Sequence, residues 1–222
     1  VTAGRAEREV RAEDDAPLVA QLRAQERGAF DRLYALHHER IFRFLLRLSG
    51  RRDEAEDLFQ ETWVQAARHA HRLEVGSRLL PWLFTIARNQ FRSARRFLLF
   101  DFRKRETLAL EPGTSVPDPE GLILDLEEAR LLEEALAATS DAHREVLLLA
   151  HVEGLPSSDI AAVLGQSDEA IRKRLSRART ELRERLEALE KRRRPPPQRE
   201  PSRESAPNSD GLASGPSPRD PS

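Results

Sequence analysis

The chain has 222 residues, 34% of them charged, with 37 Lys and Arg against 38 Asp and Glu and a formal net charge of −1. That length fits one or two small domains, and near-neutrality excludes a protein that is basic throughout. Cysteine is absent, which excludes disulfides, thiolate metal sites and thiol catalysis together.

No run approaches the roughly 20 apolar residues of a membrane span. The opening VTAGRAEREVRAEDDAP is charged where a signal peptide would be apolar. The expectation is a cytoplasmic protein without stable membrane insertion.

Helical periodicity dominates and no segment alternates as a strand would. Residues 1–16 read as a disordered arm and 17–26 as a short helix that Gly28 breaks. AFDRLYALHHERIFRFLLRLSG then reads as a long helix closed by Gly50, with Phe30, Leu33, Ile41, Phe44, Leu45 and Leu48 mostly inward. Another helix starts near Asp53 and runs to about His71; Gly76 and Ser77 mark a loop. Pro81 suits the first turn of the next helix.

That next helix carries WLFTIARNQFRSARR, residues 82–96, which interleaves apolar residues with arginine and holds no acid. At 100° per residue, Trp82, Leu83, Ile86, Ala87, Gln90, Phe91 and Ala94 share one side, with Phe84 at its edge. Arg88, Arg92, Arg95 and Arg96 fall opposite, with Thr85 and Asn89 inside the stripe. Three readings fit: a solvated face on a core helix, a membrane-surface helix, or a nucleic-acid surface.

Residues 107–121, TLALEPGTSVPDPEG, form a linker by composition, with three prolines and two glycines. Helices are expected over 122–138, 141–152, 156–164 and 167–190. After KRRR the chain is too poor in apolar residues to fold, so 192–222 reads as a disordered tail. The fold class is all-α: two small helical domains, 17–105 and 122–191, joined by a flexible linker, 106–121.

Charge follows this division. Thr85–Arg105 carries seven bases and one acid, Glu111–Asp141 nine acids and one base, and Ser167–Arg194 eleven bases and six acids. The pattern suggests two surfaces that meet a polyanion, separated by a connector that avoids it.

GLPSSDIAAVLGQSDEAIRKRLSRARTEL has the requirements of a helix-turn-helix. Ser157 or Ser158 can cap the first helix, Ala161 and Ala162 permit a close crossing, Gly165 allows the turn and Ser167 caps the second helix. Ile171, Leu175, Ala178, Leu182 and Leu186 make its buried stripe. Arg172, Lys173, Ser176 and Arg177 cluster on the opposite side, where they can donate to guanine edges and phosphates. A solvated basic helix is the plain alternative.

DEAEDLFQETWVQAARHAHRL and PWLFTIARNQFRSARR resemble conserved region 2 of bacterial sigma factors, closest to the two-domain extracytoplasmic-function (ECF) group of the sigma-70 family. SDAHREVLLLAHVEGLPSSDIAAVLGQSDEAIRKRLSRARTELRERL resembles their region 4, in the same order and with no middle domain. The resemblance implies that Asp57, Gln60, Glu61 and Val64 dock on the β′ clamp helices of core RNA polymerase. It implies that Ile86, Asn89 and the loop His71–Ser77 hold a melted minus-ten base while Arg88, Arg92, Arg95 and Arg96 track phosphates. It assigns the minus-thirty-five element to Arg172, Lys173, Ser176 and Arg177, and promoter DNA and an anti-sigma factor as partners.

The sequence departs from the family pattern in two places. The loop HRLEVGSRLL carries Leu73 and Val75, and Asp168 and Glu169 open the recognition helix where small residues are common. His37/His38 and His69/His71 lack metal-ligand or triad spacing, so no enzymatic activity, metal or cofactor is expected. A free-standing dimeric regulator would leave the arginine-striped helix without a role, and a membrane-surface protein would take the apolar face needed to close a three-helix core.

Overall fold

The computed structural model describes residues 15–104 and 126–193, with side chains for 15–97 and 128–193. The expected linker, 106–121, lies outside the described residues, as do most of the expected N-terminal arm and C-terminal tail; residues 15–16 and 192–193, expected to be disordered, are helical. Those described form helices and turns, with no strand among them.

The first body contains α1 (residues 15–23), α2 (Ala29–Ser49), α3 (Arg52–His69) and α4 (Leu79–Lys104). Gly50 ends α2 at φ 74°, a left-handed conformation that costs glycine no Cβ clash, and its N–H reaches back to the Leu46 carbonyl. A 3₁₀ turn, Ala70–Arg72, completes α3. Asp15 accepts a hydrogen bond from the Leu79 N–H at 2.9 Å, so α1 caps the N-terminus of α4. The core is built from Leu33, Ile41, Phe44, Leu45, Leu83 and Phe84, all essentially fully buried. Each large apolar side chain so buried contributes about 1.5–3 kcal/mol. Phe44 and Phe84 meet edge to face at 4.9 Å. Phe84, expected at the edge of the apolar face, is therefore central, whereas Phe30 is only partly buried.

The second body contains α5 (Leu126–Ala137), α6 (Asp141–Leu147), α7 (Ser157–Leu164) and α8 (Asp168–Arg193). A π-helical turn, Leu148–Val152, continues α6, and the Glu153 N–H bonds to the Leu148 carbonyl. Neither serine caps α7: it begins at Ser157 with Pro156 at the cap position and no side-chain cap bond. Ser167 does cap α8, accepting from the Ala170 N–H at 3.2 Å. Gly165, at φ 62°, makes the turn between them, and the Gln166 N–H closes back onto the Ala161 carbonyl at 3.0 Å. The expected stripe on α8 is buried at Ile171 and Ala178; Leu175, Leu182 and Leu186 are half-buried.

The two bodies pack directly against each other, α4 against α7 and α2 against α5, α6 and the π turn. The buried apolar side chains of the two bodies form one core, and the ion pairs across their interface are one-sided. Arg40 meets Glu153, Arg47 meets Glu133, Arg78 meets Asp159, Arg88 meets Glu145 and Arg95 lies 3.6 Å from Asp141. In each pair the first body supplies the arginine and the second the carboxylate. The acid-rich segment Glu111–Asp141 is thus more than a connector, since its described part holds α5 and two of these carboxylates. Arg144 adds a link of another kind. Its buried guanidinium donates to the Leu48 carbonyl at the end of α2, and to the carbonyls of Leu136, Ala137 and Thr139.

Candidate nucleic-acid and polymerase interfaces

On α3, the spacing i, i+3, i+4, i+7 brings Asp57, Gln60, Glu61 and Val64 to one face, and all four are exposed. The opposite side buries Ala55, Leu58, Thr62, Trp63 and Ala66. Two charges, an amide and an exposed valine make a face suited to a basic protein surface with an apolar centre.

Between the end of α3 and the start of α4 lies a pocket of about 500 Å³. Trp82 and Ile86 supply apolar wall, and Asn89 and Gln90 line it from α4. Leu73, Glu74 and Ser77 come from the connecting loop. The turn is pinned: Ser77 Oγ accepts from the Glu74 N–H at 2.9 Å, and the Ser77 N–H returns to the Glu74 carbonyl. Leu73 anchors it in the core, whereas Val75 stands 83% exposed at its tip. The two apolar loop residues therefore do different jobs. Sequence reasoning brings Ile86, Asn89 and the loop together but misses Gln65 and His69, which line the same pocket from α3. Their spacing of four on one helix was the available signal. The His69 ring donates from Nδ1 to the Gln65 carbonyl at 2.8 Å, which leaves Nε2 as the acceptor in the neutral ring.

The arginine stripe of α4 is divided. Arg92 and Arg96 are exposed, whereas Arg88 is buried, 7% exposed. Arg88 Nε donates to Glu145 at 2.7 Å, and Arg174 of α8 binds the other oxygen of that carboxylate at 3.1 Å. Arg95 is half-buried, stacked 5.1 Å over the Phe91 ring. An unbroken cationic face is therefore not what this arrangement presents.

On α8, Arg172, Lys173, Ser176 and Arg177 are all exposed and share one side, as the helical spacing predicts. Arg172 lies 3.2 Å from Asp168 and Lys173 lies 2.6 Å from Glu169, both across one helical turn. The two acids that depart from the family pattern thus sit on Arg172 and Lys173.

Comparison with known proteins agrees with this geometry. Residues 33–97 match the model of sigma-70 region 2 and residues 129–182 that of sigma-70 region 4. The chain is 38% identical to the RNA polymerase sigma factor CarQ of Myxococcus xanthus, over 73% of this chain and 91% of that protein. It is 34% identical to the ECF RNA polymerase sigma factor SigL of Mycobacterium tuberculosis, over 75% and 93%. Among solved structures, the sigma factor RpoE of Bartonella quintana, in complex with the anti-sigma factor NepR, superposes with a TM-score of 0.64 at 33% identity, covering 72% of this chain and 98% of that one. Two helical bodies with a pocketed region 2 and a helix-turn-helix region 4, matched over nearly the whole length of such relatives, make this chain a member of the ECF-type sigma factors of the sigma-70 family.

Proposed function

We propose that the pocket between α3 and α4 holds one base extruded from the minus-ten element, while the outward face of α8 reads the minus-thirty-five element. The observation that carries the reading is the pocket itself: an apolar wall, Trp82 and Ile86, beside an amide, Asn89, with the exposed Arg72 also lining it. Base stacking on an apolar or aromatic wall contributes about 1–3 kcal/mol, and the amide can pair with a base edge. Capture of the flipped base then offsets the cost of unpairing it. Exposed Arg92 and Arg96, with half-buried Arg95 beside them, hold the backbone of the strand, whereas Arg88 is turned inward onto Glu145.

Arg172, Lys173, Ser176 and Arg177 enter the major groove, where Arg and Lys select guanine. Asp57, Gln60, Glu61 and Val64 bind the β′ clamp helices. The chain supplies specificity; the bond-forming chemistry belongs to the polymerase, so no catalytic residue, metal or cofactor is assigned. Its place of work is the bacterial cytoplasm, where promoter DNA and polymerase are found. An anti-sigma factor is inferred as a further partner, in line with the relative solved with NepR.

Asn89→Ala tests the pocket. With holoenzyme on duplex and on pre-melted promoter templates, the substitution is expected to lower open-complex formation on duplex about tenfold, with a smaller loss of initial binding. Equal losses on both templates would contradict base capture.

A further inference from the structure

Val75 is 83% exposed, more than any other large apolar side chain among the described residues. A lone apolar residue on a surface needs no special account. Three features of its surroundings set this one apart. Glu74 and Ser77, on either side of it in the turn, both line the candidate base pocket, so Val75 stands at the rim. The turn beneath it is fixed. Leu73 is buried, Ser77 bonds both the N–H and the carbonyl of Glu74, and Gly76 closes the turn at φ 82°. Valine itself is stiff about χ1, so a tip held this way loses little entropy when it is covered. Charge is the third feature. The exposed Glu74 carboxylate beside Val75 repels phosphate, which suits the tip to base faces, while exposed Arg72 offers a backbone contact.

A base that leaves the stack vacates a step, and an apolar side chain inserted at such a step stabilises the unstacked form. Resting on the base-capture reading, we propose that Val75 is a wedge, which enters the duplex where a minus-ten base has moved into the pocket and fills the step left behind. The scale fits. Consecutive Cα atoms lie about 3.8 Å apart and base steps about 3.4 Å apart, so a tip one residue from the pocket wall meets the adjoining step. The pocket holds the base that leaves; Val75 closes the gap. The two roles are separable, because filling a gap needs no base in the pocket.

The test uses holoenzyme made from core polymerase and the full chain. A promoter is first selected from a randomised duplex library by run-off transcription with the parent. Substitution of 2-aminopurine along its minus-ten element locates the extruded base by the rise in fluorescence. Three templates follow: the intact duplex, a duplex with an abasic site at that position, and a pre-melted template. Opening on the two duplexes is read by permanganate reactivity of minus-ten thymines, and binding to all three by gel shift.

Val75→Thr keeps the shape of the side chain and makes it polar. It is expected to lower opening about fivefold on both duplexes, with no loss of binding to the pre-melted template. Val75→Ile is expected to stay within about twofold of the parent on all three. Asn89→Ala is expected to lower opening on the intact duplex and to add nothing on the abasic one. Opening by Val75→Thr equal to the parent's on both duplexes, while Asn89→Ala remains defective, overturns the wedge, leaves base capture standing and assigns the tip to a protein partner. An equal loss for Val75→Thr on all three templates also overturns the wedge. Asn89→Ala without effect on the intact duplex overturns base capture, and a Val75→Thr loss on the abasic duplex still supports the wedge. A parent holoenzyme that selects no promoter overturns both.

Discussion

The arginine stripe of α4 and the basic outward face of α8 have the same chemistry and opposite surroundings. Each sets basic side chains on the outward side of an amphipathic helix, and each has acids within reach. On α4, the carboxylate that holds Arg88 comes from another domain and is buried with it. On α8, the carboxylates come one turn earlier on the same helix and are exposed. Burial decides the energetics: removing one member of a buried pair strands a desolvated charge, whereas an exposed i, i+4 pair is screened by water and salt. On α4 the acid closes off Arg88 while Arg92 and Arg96 stay exposed, and on α8 the acids only lightly shield the cations.

The largest expected effect breaks this comparison directly. Glu145→Ala leaves Arg88 and Arg174 without their shared carboxylate and is expected to cost about 3 kcal/mol in urea unfolding of the full chain. Glu169→Ala, which removes an exposed partner of Lys173, is expected to stay within about 0.5 kcal/mol of the parent. Equal shifts for the two would erase the distinction. Next in size, Arg172→Ala is expected to weaken minus-thirty-five discrimination by about 1–3 kcal/mol; promoter preference unchanged in a run-off transcription panel would remove Arg172 from the reading face.

A smaller effect concerns pH at the edge of the domain contact. Burial, with the Arg40 guanidinium beside it, lowers His37 to about 4 from an ordinary 6.5, and both ring nitrogens are buried without hydrogen-bond partners. Below pH 6.5 the unfolded chain binds a proton that the folded chain refuses. His37 therefore stabilises the fold fully above pH 6.5, and that contribution is lost as pH falls toward 4. His37→Gln is expected to flatten the decline in melting temperature over that window; an identical decline in parent and variant would show that His37 does not carry it. The smallest effect sharpens the α8 side. Asp168→Asn with Glu169→Gln is expected to tighten minus-thirty-five duplex binding by less than about 1 kcal/mol at low salt, with the gain vanishing at high salt.

Local chemistry made much of the fold legible in the sequence. Gly28, Gly50 and Gly165 punctuate the helices because a left-handed residue is needed there, and all three have positive φ. Apolar spacing of 3.6 placed Leu33, Ile41, Leu45 and Leu48 in the core. Of the candidate site residues, the α3 and α8 faces could be read because each lies on one regular helix. Arg88 could not. Its partner, 57 positions away, has no local relation to it, and helical periodicity says which side a residue faces, never what covers that side. The neighbouring basic and acidic segments were a visible hint, but charge counts carry no pairing. Ser157 failed as a cap for a different reason: Pro156 set the start of α7 one residue earlier than a serine cap requires.

The central claim is that this chain directs RNA polymerase, and the most direct test needs no promoter. Purified protein is mixed with bacterial core RNA polymerase and resolved by size-exclusion chromatography, beside Asp57→Lys with Glu61→Lys. Co-migration of the parent, lost in the charge reversal while helicity is retained, is the predicted result. A folded parent, free of any bound inhibitor, that never co-migrates with core polymerase would contradict the account.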